Sequence, residues 1–321
     1  MPELAEVEFF RKRWDSAAHG RKIAAVRLHA KAKVFRGTDP SAVERALAGA
    51  TLLSSATAAK QMVFRFSGDA WLGLHLGMSG ELHVESAGYV AGKHDHLILD
   101  TAAQALVFTD PRMFGRVQFY QGAEAPRWWA DIAPAIESKA FTAEAVAGFL
   151  RRRAKAPIKA VLLMQERFPG IGNWMADEVL WRAAIHPRRP AGSLTPAEVR
   201  TLWRECRHVC ELALETIAGR GGKLPPDLNV NIPRSWLFWH RWEDGGKCPR
   251  TGVLLVREEI GGRTTCWSPG RQEPVAAASS RKVRRGVADT RVISATANDL
   301  RKHRLEAGAT SVRAKAPCRT R

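Results

Sequence analysis

The first six residues of the chain, Met-Pro-Glu-Leu-Ala-Glu, bring together an amine and two carboxyl groups. Removal of Met1 would leave Pro2 with a free secondary amine. Apolar residues then recur at spacings of three, four and three, which predicts a helix starting beside this amine. The positive end of a helix favours the unprotonated, nucleophilic amine, and Glu3 and Glu6 share one side of the helix. Such a group can attack a sugar carbon and move protons around it.

Two glycine-rich turns and a lysine in the first 120 residues could contact nucleic acid. Lys60 follows a loop of small residues, and the sequence His75-Leu-Gly-Met-Ser-Gly places Met78 on a turn as a possible apolar wedge. The sequence Asp-Pro-Arg-Met-Phe-Gly places Arg112 and Phe114 on a loop, where a guanidinium and a ring could fill a gap in a base stack. Each segment also has a structural interpretation: a solvated strand lysine, a core methionine, or a surface turn with one buried phenylalanine.

The second half contains Lys159 and the sequence Gly-Ile-Gly-Asn, which opens a predicted helix at Asn173. Free backbone N–H groups and the helix dipole make such a start a phosphate-binding site. Gly170 and Gly172 leave room for a DNA backbone to approach. Taken alone, the Gly-x-Gly-Asn turn is a weak indication.

Composition restricts the classes of partner. The 321 residues suffice for two domains, and the net charge of +18 indicates a polyanionic partner, foremost nucleic acid. A ribosomal or chromatin-type structural protein would fit the charge equally well. The chain has neither a run of 18 apolar residues nor a signal-peptide pattern, which predicts no membrane span and no secretion. Five unevenly spaced cysteines suit a reducing cytoplasm, and Cys206 and Cys210 are interpreted as core residues.

Short strands dominate residues 22–120, and helices follow from about 140. The predicted strands are Ile23–Phe35, Lys60–Phe66, Trp71–Leu76, His94–Leu99 and Leu106–Thr109, a spacing typical of a sandwich or barrel. The predicted helices are Ala143–Lys155, Ile158–Arg167, Asn173–Ile185 and Thr195–Ala218. Thr195 and Glu198 form a capping-box signal at the last of these helices.

The C-terminal third is predicted to hold a connection, a hairpin and a tail. Residues 219–226 are predicted to form a flexible connection. Two β-like runs, Val253–Glu258 and Arg263–Trp267, are predicted to pair as a hairpin with Gly261-Gly262 in its turn. From Glu273 onward, twelve Lys or Arg stand against four Asp or Glu, which predicts a basic disordered tail.

In this order, the motifs resemble the formamidopyrimidine-DNA glycosylase/endonuclease VIII family over residues 2–272. Its members begin Pro-Glu with a second Glu three residues later. They carry a hairpin lysine, a Leu-Gly-Met-Ser-Gly turn, an Asp-Pro-Arg-x-Phe-Gly loop and a helix–two-turns–helix element with Gly-Ile-Gly-Asn. The resemblance implies an α+β fold with an N-terminal β-sandwich behind a leading helix. The implied domains are a catalytic sandwich (1–135), a helix–two-turns–helix domain (136–225), a finger hairpin (226–272) and the basic tail (273–321).

The resemblance also implies a role for each site residue. Pro2 would attack C1′ of the damaged nucleotide and form an iminium that opens β- and then δ-elimination. Glu3 would transfer protons at the sugar, and Glu6 would order the site. Phosphates around the flipped nucleotide would be bound by Lys60, which is also counted with the catalytic residues, and by His75, Lys159 and Asn173. The vacated base stack would be filled by Met78, Arg112 and Phe114.

The chain departs from the family in its finger. Most relatives hold zinc there with four cysteines, but only Cys248 matches a ligand, and Thr251, Ser268 and Arg271 stand at the other three positions. A single soft ligand cannot hold structural zinc. We therefore expect a zincless finger and no cofactor, with Arg263 matching the family's phosphate-gripping hairpin arginine.

The implied function is that of a bifunctional DNA glycosylase and AP lyase that excises oxidised bases from double-stranded DNA. The intercalating trio favours formamidopyrimidine and 8-oxopurine lesions. One alternative is an endonuclease VIII-like preference for oxidised pyrimidines or hydantoins. Another is a non-catalytic protein that binds damaged DNA or RNA. We expect a monomer without membrane contact, in the cytoplasm and nucleoid or in a eukaryotic nucleus.

Overall fold

The N-terminal half consists of a leading helix and two antiparallel sheets. The computed structural model describes residues 1–219 and 223–273. Helix α1 spans Leu4–Ala18. The strands that follow are β1 (Ala25–Leu28), β2 (Leu52–Ala58), β3 (Gln61–Phe66), β4 (Ala70–His75), β5 (Glu81–Ser86), β6 (Asp95–Asp100), β7 (Gln104–Thr109) and β8 (Arg116–Gln121). One sheet has the order β1-β6-β7-β5 and the other β2-β3-β4-β8, and apolar residues of both share one core. This is the predicted sandwich.

Helix α1 joins the sandwich to the rest of the molecule. Its buried face carries Phe9, Phe10 and Trp14, and the Trp14 ring lies 5.3 Å from that of Phe64 on β3. The Trp14 indole N–H also donates to the His83 carbonyl of β5 at 2.9 Å. Because both sheets hold α1, the acidic residues at its N-terminus have a fixed position.

The C-terminal half is helical, as predicted. Two short helices, α2 (Pro40–Leu47) and α3 (Arg127–Ala130), precede α4 (Ala143–Arg152), α5 (Ile158–Leu162), α6 (Asn173–Ala183) and α7 (Pro196–Ile217). The capping box of α7 is confirmed: the Glu198 N–H donates to the Thr195 hydroxyl, and Glu198 accepts the Thr195 N–H at 2.7 Å. Cys206 and Cys210 are fully buried on α7, which confirms that they are core residues.

The hairpin predicted near the end of the described chain is present. Strands β9 (Val256–Ile260) and β10 (Arg263–Trp267) pair antiparallel around Gly261 and Gly262, which both have positive φ. A Cβ on Gly261 would lie 2.6 Å from the Ala160 Cβ, so the turn packs directly on α5. The first strand starts at Val256 rather than Val253. Leu254 pairs instead with Lys247 in an isolated bridge.

Several predicted boundaries are wrong. The strand predicted over Ile23–Phe35 ends at Leu28 and is followed by one turn of 3-10 helix, and the helix predicted to reach Arg167 ends at Leu162. Lys60 lies in the turn that links β2 and β3, not within a strand. Strands β2, β5 and β8 and helix α2 were not predicted. Small and polar side chains in β2 hide the apolar alternation that marks a strand. Strands β5 and β8 do alternate, at Leu82 and Val84 and at Val117 and Phe119, so their signal was present and was overlooked.

Two sequence predictions concern the organisation of the whole chain. The division at 135, 225 and 272 remains a prediction. The described residues pack as one compact unit. The basic tail lies outside the described residues from 274 onward. Within the described part, no helix is both long and apolar enough to cross a bilayer.

Candidate active site

The Glu3 carboxylate connects the start of α1 to the start of α6. It accepts backbone N–H groups from Gly172 at 2.7 Å, Trp174 at 2.9 Å and Met175 at 3.2 Å. A Cβ on Gly172 would lie 2.3 Å from the Glu3 carboxyl carbon, so glycine is required there. The N-terminal ends of α1 and α6, which carry positive partial charge, therefore both lie at the buried Glu3 carboxylate.

Glu6 lies one turn further along α1 and is also buried. Its carboxylate accepts the Glu3 backbone N–H at 3.1 Å and the Trp174 indole N–H at 2.8 Å. Burial raises the pKa of Glu6 to about 7, and the negative charge of Glu3 contributes to that rise. Burial also raises the pKa of Glu3, against the opposing effects of Lys60 and three backbone N–H groups. The two acids can therefore hold and release a proton near neutral pH.

Lys60 faces this acidic pair from the turn between β2 and β3. The turn depends on Ala59, which has a φ of +54°. Burial lowers the pKa of the Lys60 ammonium, while the charges of Glu3 and Glu6 oppose that shift. Arg263 also lowers this pKa, which places the hairpin arginine within electrostatic range of the site.

Pro2 is half-buried at the mouth of a cavity of about 230 Å³. Glu6, Met78 and Trp174 line the same cavity, so the future amine, an acid and the predicted wedge surround one space. Met1 precedes Pro2 and is half-exposed, which leaves it accessible for removal. Once Met1 is removed, the Pro2 nitrogen becomes a secondary amine with proton-transfer groups beside it.

The three predicted wedge residues lie on two adjacent loops. Met78 and Phe114 are exposed, and the Arg112 guanidinium carbon lies 4.9 Å from the centre of the Phe114 ring. A Cβ on Gly77, whose φ is +61°, would lie 2.4 Å from the Phe114 carbonyl carbon. The loops are therefore in direct contact and present their side chains together.

Asp110 holds these two loops in place and was not identified from the sequence. Its buried carboxylate accepts the Ser79 hydroxyl at 2.7 Å and the Gly115 N–H at 2.7 Å. An aspartate at the start of a turn commonly bonds to the following backbone, and that signal was available in the Asp-Pro sequence. Its bond to Ser79, on the other loop, was not foreseeable.

His75 lies beside the same loops as a neutral imidazole. Burial lowers its pKa, and the positive charge of Lys60 adds to the effect. The Nδ1 atom accepts the Gly77 N–H at 3.1 Å, which leaves the proton of the neutral ring on Nε2. That N–H is a suitable donor to a phosphate oxygen.

Asn173 and Arg263 connect the start of α6 with the hairpin. The Asn173 side-chain amide donates to the Thr264 carbonyl at 2.8 Å, and its Oδ1 atom has no hydrogen-bond partner among the described residues. Arg263 is exposed directly after the Gly261-Gly262 turn. The structure thus places the arginine at the tip of the hairpin, as expected.

The prediction that Lys159 binds phosphate is wrong. The side chain is fully buried, and its ammonium donates to the Asn173 carbonyl at 2.6 Å and to Asp177 at 2.5 Å. Asp177 also binds Arg241 and accepts the Cys266 N–H at 3.0 Å. The Lys159 ammonium therefore binds two residues of α6 in the protein interior and does not reach the surface. No sequence signal identified Asp177 as its partner.

The finger is attached to α6 by hydrogen bonds. Arg271 donates to the carbonyls of Trp181 at 2.6 Å and Arg182 at 2.8 Å, near the end of the helix. Cys248 accepts the Trp181 indole N–H at 3.4 Å. Burial raises the pKa of Cys248, but hydrogen bonds from neighbouring hydroxyls and from Trp181 outweigh it and lower the pKa to about 7. The described residues contain no cluster of three or more His, Cys, Asp or Glu placed to hold a metal ion.

Comparisons with known proteins give a consistent result. Residues 1–117 match the formamidopyrimidine-DNA glycosylase N-terminal domain, and residues 132–222 match the H2TH domain of the same enzymes. The formamidopyrimidine-DNA glycosylase of Ligilactobacillus salivarius is 35% identical over 276 residues, covering 84% of this chain and 98% of that protein. The Chloroflexus aurantiacus enzyme is 36% identical over 282 residues, covering 84% and 96%.

Solved structures agree with the sequence relatives. The Lactococcus lactis formamidopyrimidine-DNA glycosylase, bound non-covalently to DNA containing an AP site, has a TM-score of 0.72 and 27% identity. The match covers 85% of this chain and all of that one. The same enzyme bound to DNA with an oxidised pyrimidine has a TM-score of 0.74 and 25% identity. The chain therefore belongs to the formamidopyrimidine-DNA glycosylase family.

Proposed function

We propose that this protein is a bifunctional DNA glycosylase and AP lyase that removes oxidised bases from double-stranded DNA through Pro2. The observation that carries the proposal is the position of Pro2, Glu6 and Met78 on one cavity, with Glu3 at the meeting point of two helix ends. This arrangement would bring nucleophile, proton carrier and wedge to one extruded base and its sugar.

The reaction begins when the Pro2 amine attacks C1′ of the damaged nucleotide. The N–C1′ bond forms while the glycosidic bond breaks, and the departing base takes a proton from the buried acids at the site. The attacking nitrogen loses its proton, and the C1′–O4′ bond of the sugar ring then opens with a proton delivered to O4′, which gives the iminium. The iminium acidifies the C2′ hydrogens, so elimination of the 3′-phosphate and then of the 5′-phosphate follows. Hydrolysis finally returns the free amine.

Binding of the strand is assigned to Lys60 and to the donors within electrostatic range of it. Lys60, the His75 Nε2–H and Arg263 supply donors for the phosphates that flank the lesion. Extrusion of a base costs roughly a few kcal/mol, and insertion of Met78 and Phe114 offsets part of that cost. Lys159 has no part in this binding because it is buried.

The favoured lesions are formamidopyrimidines and 8-oxopurines, as the complete Met78, Arg112 and Phe114 trio indicates. Oxidised pyrimidines are the second candidate, because the Lactococcus lactis relative has been crystallised with DNA that contains one. Excision rates on a panel of both lesion classes would rank them.

We further propose that the finger works without zinc, since only Cys248 offers a thiolate among the four family ligand positions. We also propose that the protein acts where DNA is held, in the cytoplasm and nucleoid or in a eukaryotic nucleus. The free thiols of the four cysteines that the structure describes are compatible with such reducing compartments. Fluorescence microscopy of a C-terminally tagged protein would test this location.

Borohydride trapping tests the proposed function. Borohydride reduces the iminium to a stable amine, so processed protein and abasic-site DNA should give a cross-link that mass spectrometry maps to Pro2. A variant that retains Met1 is the matched control, because its Pro2 nitrogen is an amide and cannot attack. Equal cross-linking by the Met1-retaining protein would contradict the assignment.

A further inference from the structure

The cavity beside Pro2 has an aromatic side that the proposed reaction does not use. Trp174, Phe238 and Trp242 all line it, and none of them belongs to the phosphate-binding groups described above. Its volume of about 230 Å³ is below the roughly 300–1,000 Å³ of pockets that take drug-sized ligands. A cavity of this size suits one base rather than a whole nucleotide.

The three rings form a continuous edge-to-face series, which we call the aromatic wall. The centres of Trp174 and Phe238 lie 5.2 Å apart at 84°, and those of Phe238 and Trp242 lie 5.3 Å apart at 82°. Both are favoured geometries for aromatic pairs. Since the Trp174 indole is bonded to Glu6, the wall begins at the catalytic acids.

Trp242 is fixed in position although half of its surface is exposed. Phe238 packs against its ring, and the Arg241 guanidinium carbon lies 4.6 Å from the ring centre. Arg241 is itself buried and bound to Asp177, so the cation cannot move away. A rigid tryptophan with 51% exposure offers a prepared surface to a flat ligand.

We propose that the aromatic wall, through Trp242, binds the extruded base and favours planar lesions. The inference rests on the proposed function: Pro2 attacks C1′, and the base is one bond from C1′, so it must lie in the cavity that Pro2 lines. Aromatic side chains hold unpaired bases by stacking. Stacking needs a flat ring, so 8-oxopurines and formamidopyrimidines are preferred over ring-saturated pyrimidines such as thymine glycol.

The test compares Trp242→Ala and Trp242→Phe with the wild type on three duplexes. These contain 8-oxoguanine, thymine glycol or a preformed abasic site, and single-turnover rates and affinities are measured on each. Tyr120→Ala is the matched control, because Tyr120 is a half-exposed aromatic residue on β8 outside the cavity. Thermal melting confirms that each variant is folded.

We expect Trp242→Ala to slow 8-oxoguanine excision by about 5- to 150-fold, which corresponds to roughly 1–3 kcal/mol of stacking per base. Trp242→Phe should recover part of the rate, and Tyr120→Ala should behave as wild type. Thymine glycol excision should fall less than 8-oxoguanine excision. Abasic-site cleavage should also fall less, because that substrate has no base to stack.

Three results would overturn the inference. Equal losses on 8-oxoguanine and abasic-site DNA would make Trp242 a structural residue, and an unchanged 8-oxoguanine rate would remove it from the base site. Equal losses on 8-oxoguanine and thymine glycol would remove the selection for planar bases. Failure of the proposed function is a separate result, because wild-type protein would then cleave none of the abasic-site DNA.

Discussion

Glu3 and Glu6 lie one turn apart at the start of α1 and are bound by different partners. Glu3 accepts three backbone N–H groups from the start of α6, whereas Glu6 accepts one backbone N–H and one indole N–H. More hydrogen-bond donors therefore stabilise the negative carboxylate of Glu3 than that of Glu6. The pKa of Glu6, raised to about 7, favours its protonated form. Glu6 is thus the member of the buried pair that can hold a proton near neutral pH.

The raised pKa of Glu6 predicts a specific dependence of stability on pH. Its ordinary pKa is 4.5, so between pH 4.5 and about 7 the folded protein retains a proton that the unfolded chain has released. The free energy of unfolding should then fall as pH rises through this window. Glu6→Gln mimics the protonated acid, so its melting temperature should rise relative to wild type between pH 5 and pH 8.

Thermal denaturation at several pH values measures this effect. Glu44→Gln is the control, because Glu44 is exposed on α2 and should follow the wild-type curve. A constant difference in melting temperature between wild type and Glu6→Gln across the window would show that Glu6 does not titrate there.

The sequence predicted which reactions individual residues could support. It did not predict the contacts that those residues make in the fold. Spacing alone placed Glu3 and Glu6 on one side of a helix beside Pro2. It could not show that Glu3 binds the backbone of Gly172, because that contact depends on how α1 and α6 pack. The phosphate role that the resemblance implied for Lys159 fails for the same reason, because only the fold shows that its ammonium is bound to Asp177.

At the scale of elements, the hairpin is held by ordinary polar contacts. Strands β9 and β10 pair over five residues each, and Arg271 and Gln272 donate to carbonyls at and beyond the end of α6. Zinc normally supplies this restraint by joining four side chains. Arg271, which the resemblance matches to one of those four positions, instead attaches the finger to α6.

This arrangement predicts that Arg263 is required for binding while zinc is not. Metal analysis should find well under one zinc per chain, and a chelator should leave activity unchanged. Arg263→Ala should weaken binding to abasic-site DNA by roughly 1.5–3 kcal/mol, the range for hydrogen bonds to charged groups. Equilibrium titration with labelled DNA measures the change.

Arg257→Ala is the matched control, because that arginine lies on the same hairpin but donates to Asp244 at 2.8 Å. Its replacement should alter affinity little. One zinc per chain together with chelator-sensitive folding would contradict the zincless finger, and normal affinity of Arg263→Ala would contradict the role of the hairpin tip.

The hairpin turn and the helix cap were predictable from local signals, whereas strand β2 was not. The Gly261-Gly262 turn and the Thr195 capping box are encoded by neighbouring residues, and both are confirmed. Strand β2 reads Leu-Leu-Ser-Ser-Ala-Thr-Ala, which has little strand character of its own. It forms because β3 supplies a hydrogen-bonding partner along its length.

Across the whole molecule, α1 is the element through which the sandwich and the helical half meet. Trp14 bonds to β5, Lys12 donates to the carbonyls of Ala218 and Gly219 after α7, and Glu3 bonds to α6. Pro2, the proposed nucleophile, directly precedes this helix, so both halves fix its position. A DNA strand that reaches Pro2 must therefore pass between groups supplied by each half.

The positive charge of the chain is distributed unevenly, and this leads to the last prediction. Of the net charge of +18, the residues from Glu273 onward contribute twelve Lys or Arg against four Asp or Glu. Such a segment should raise affinity for any duplex without reading the lesion. Truncation after Glu273 should therefore reduce the slope of log affinity against log salt by about 0.9 for each phosphate that the tail neutralises. Equilibrium titrations at several salt concentrations measure this slope.

The preference for damaged over intact DNA should persist in the truncated protein, because the proposed lesion contacts all lie within residues 1–273. A full-length control with the tail sequence shuffled keeps its charge and should restore the slope. If truncation abolishes lesion preference, or if the shuffled tail fails to restore the slope, then the tail recognises DNA by its sequence rather than by its charge.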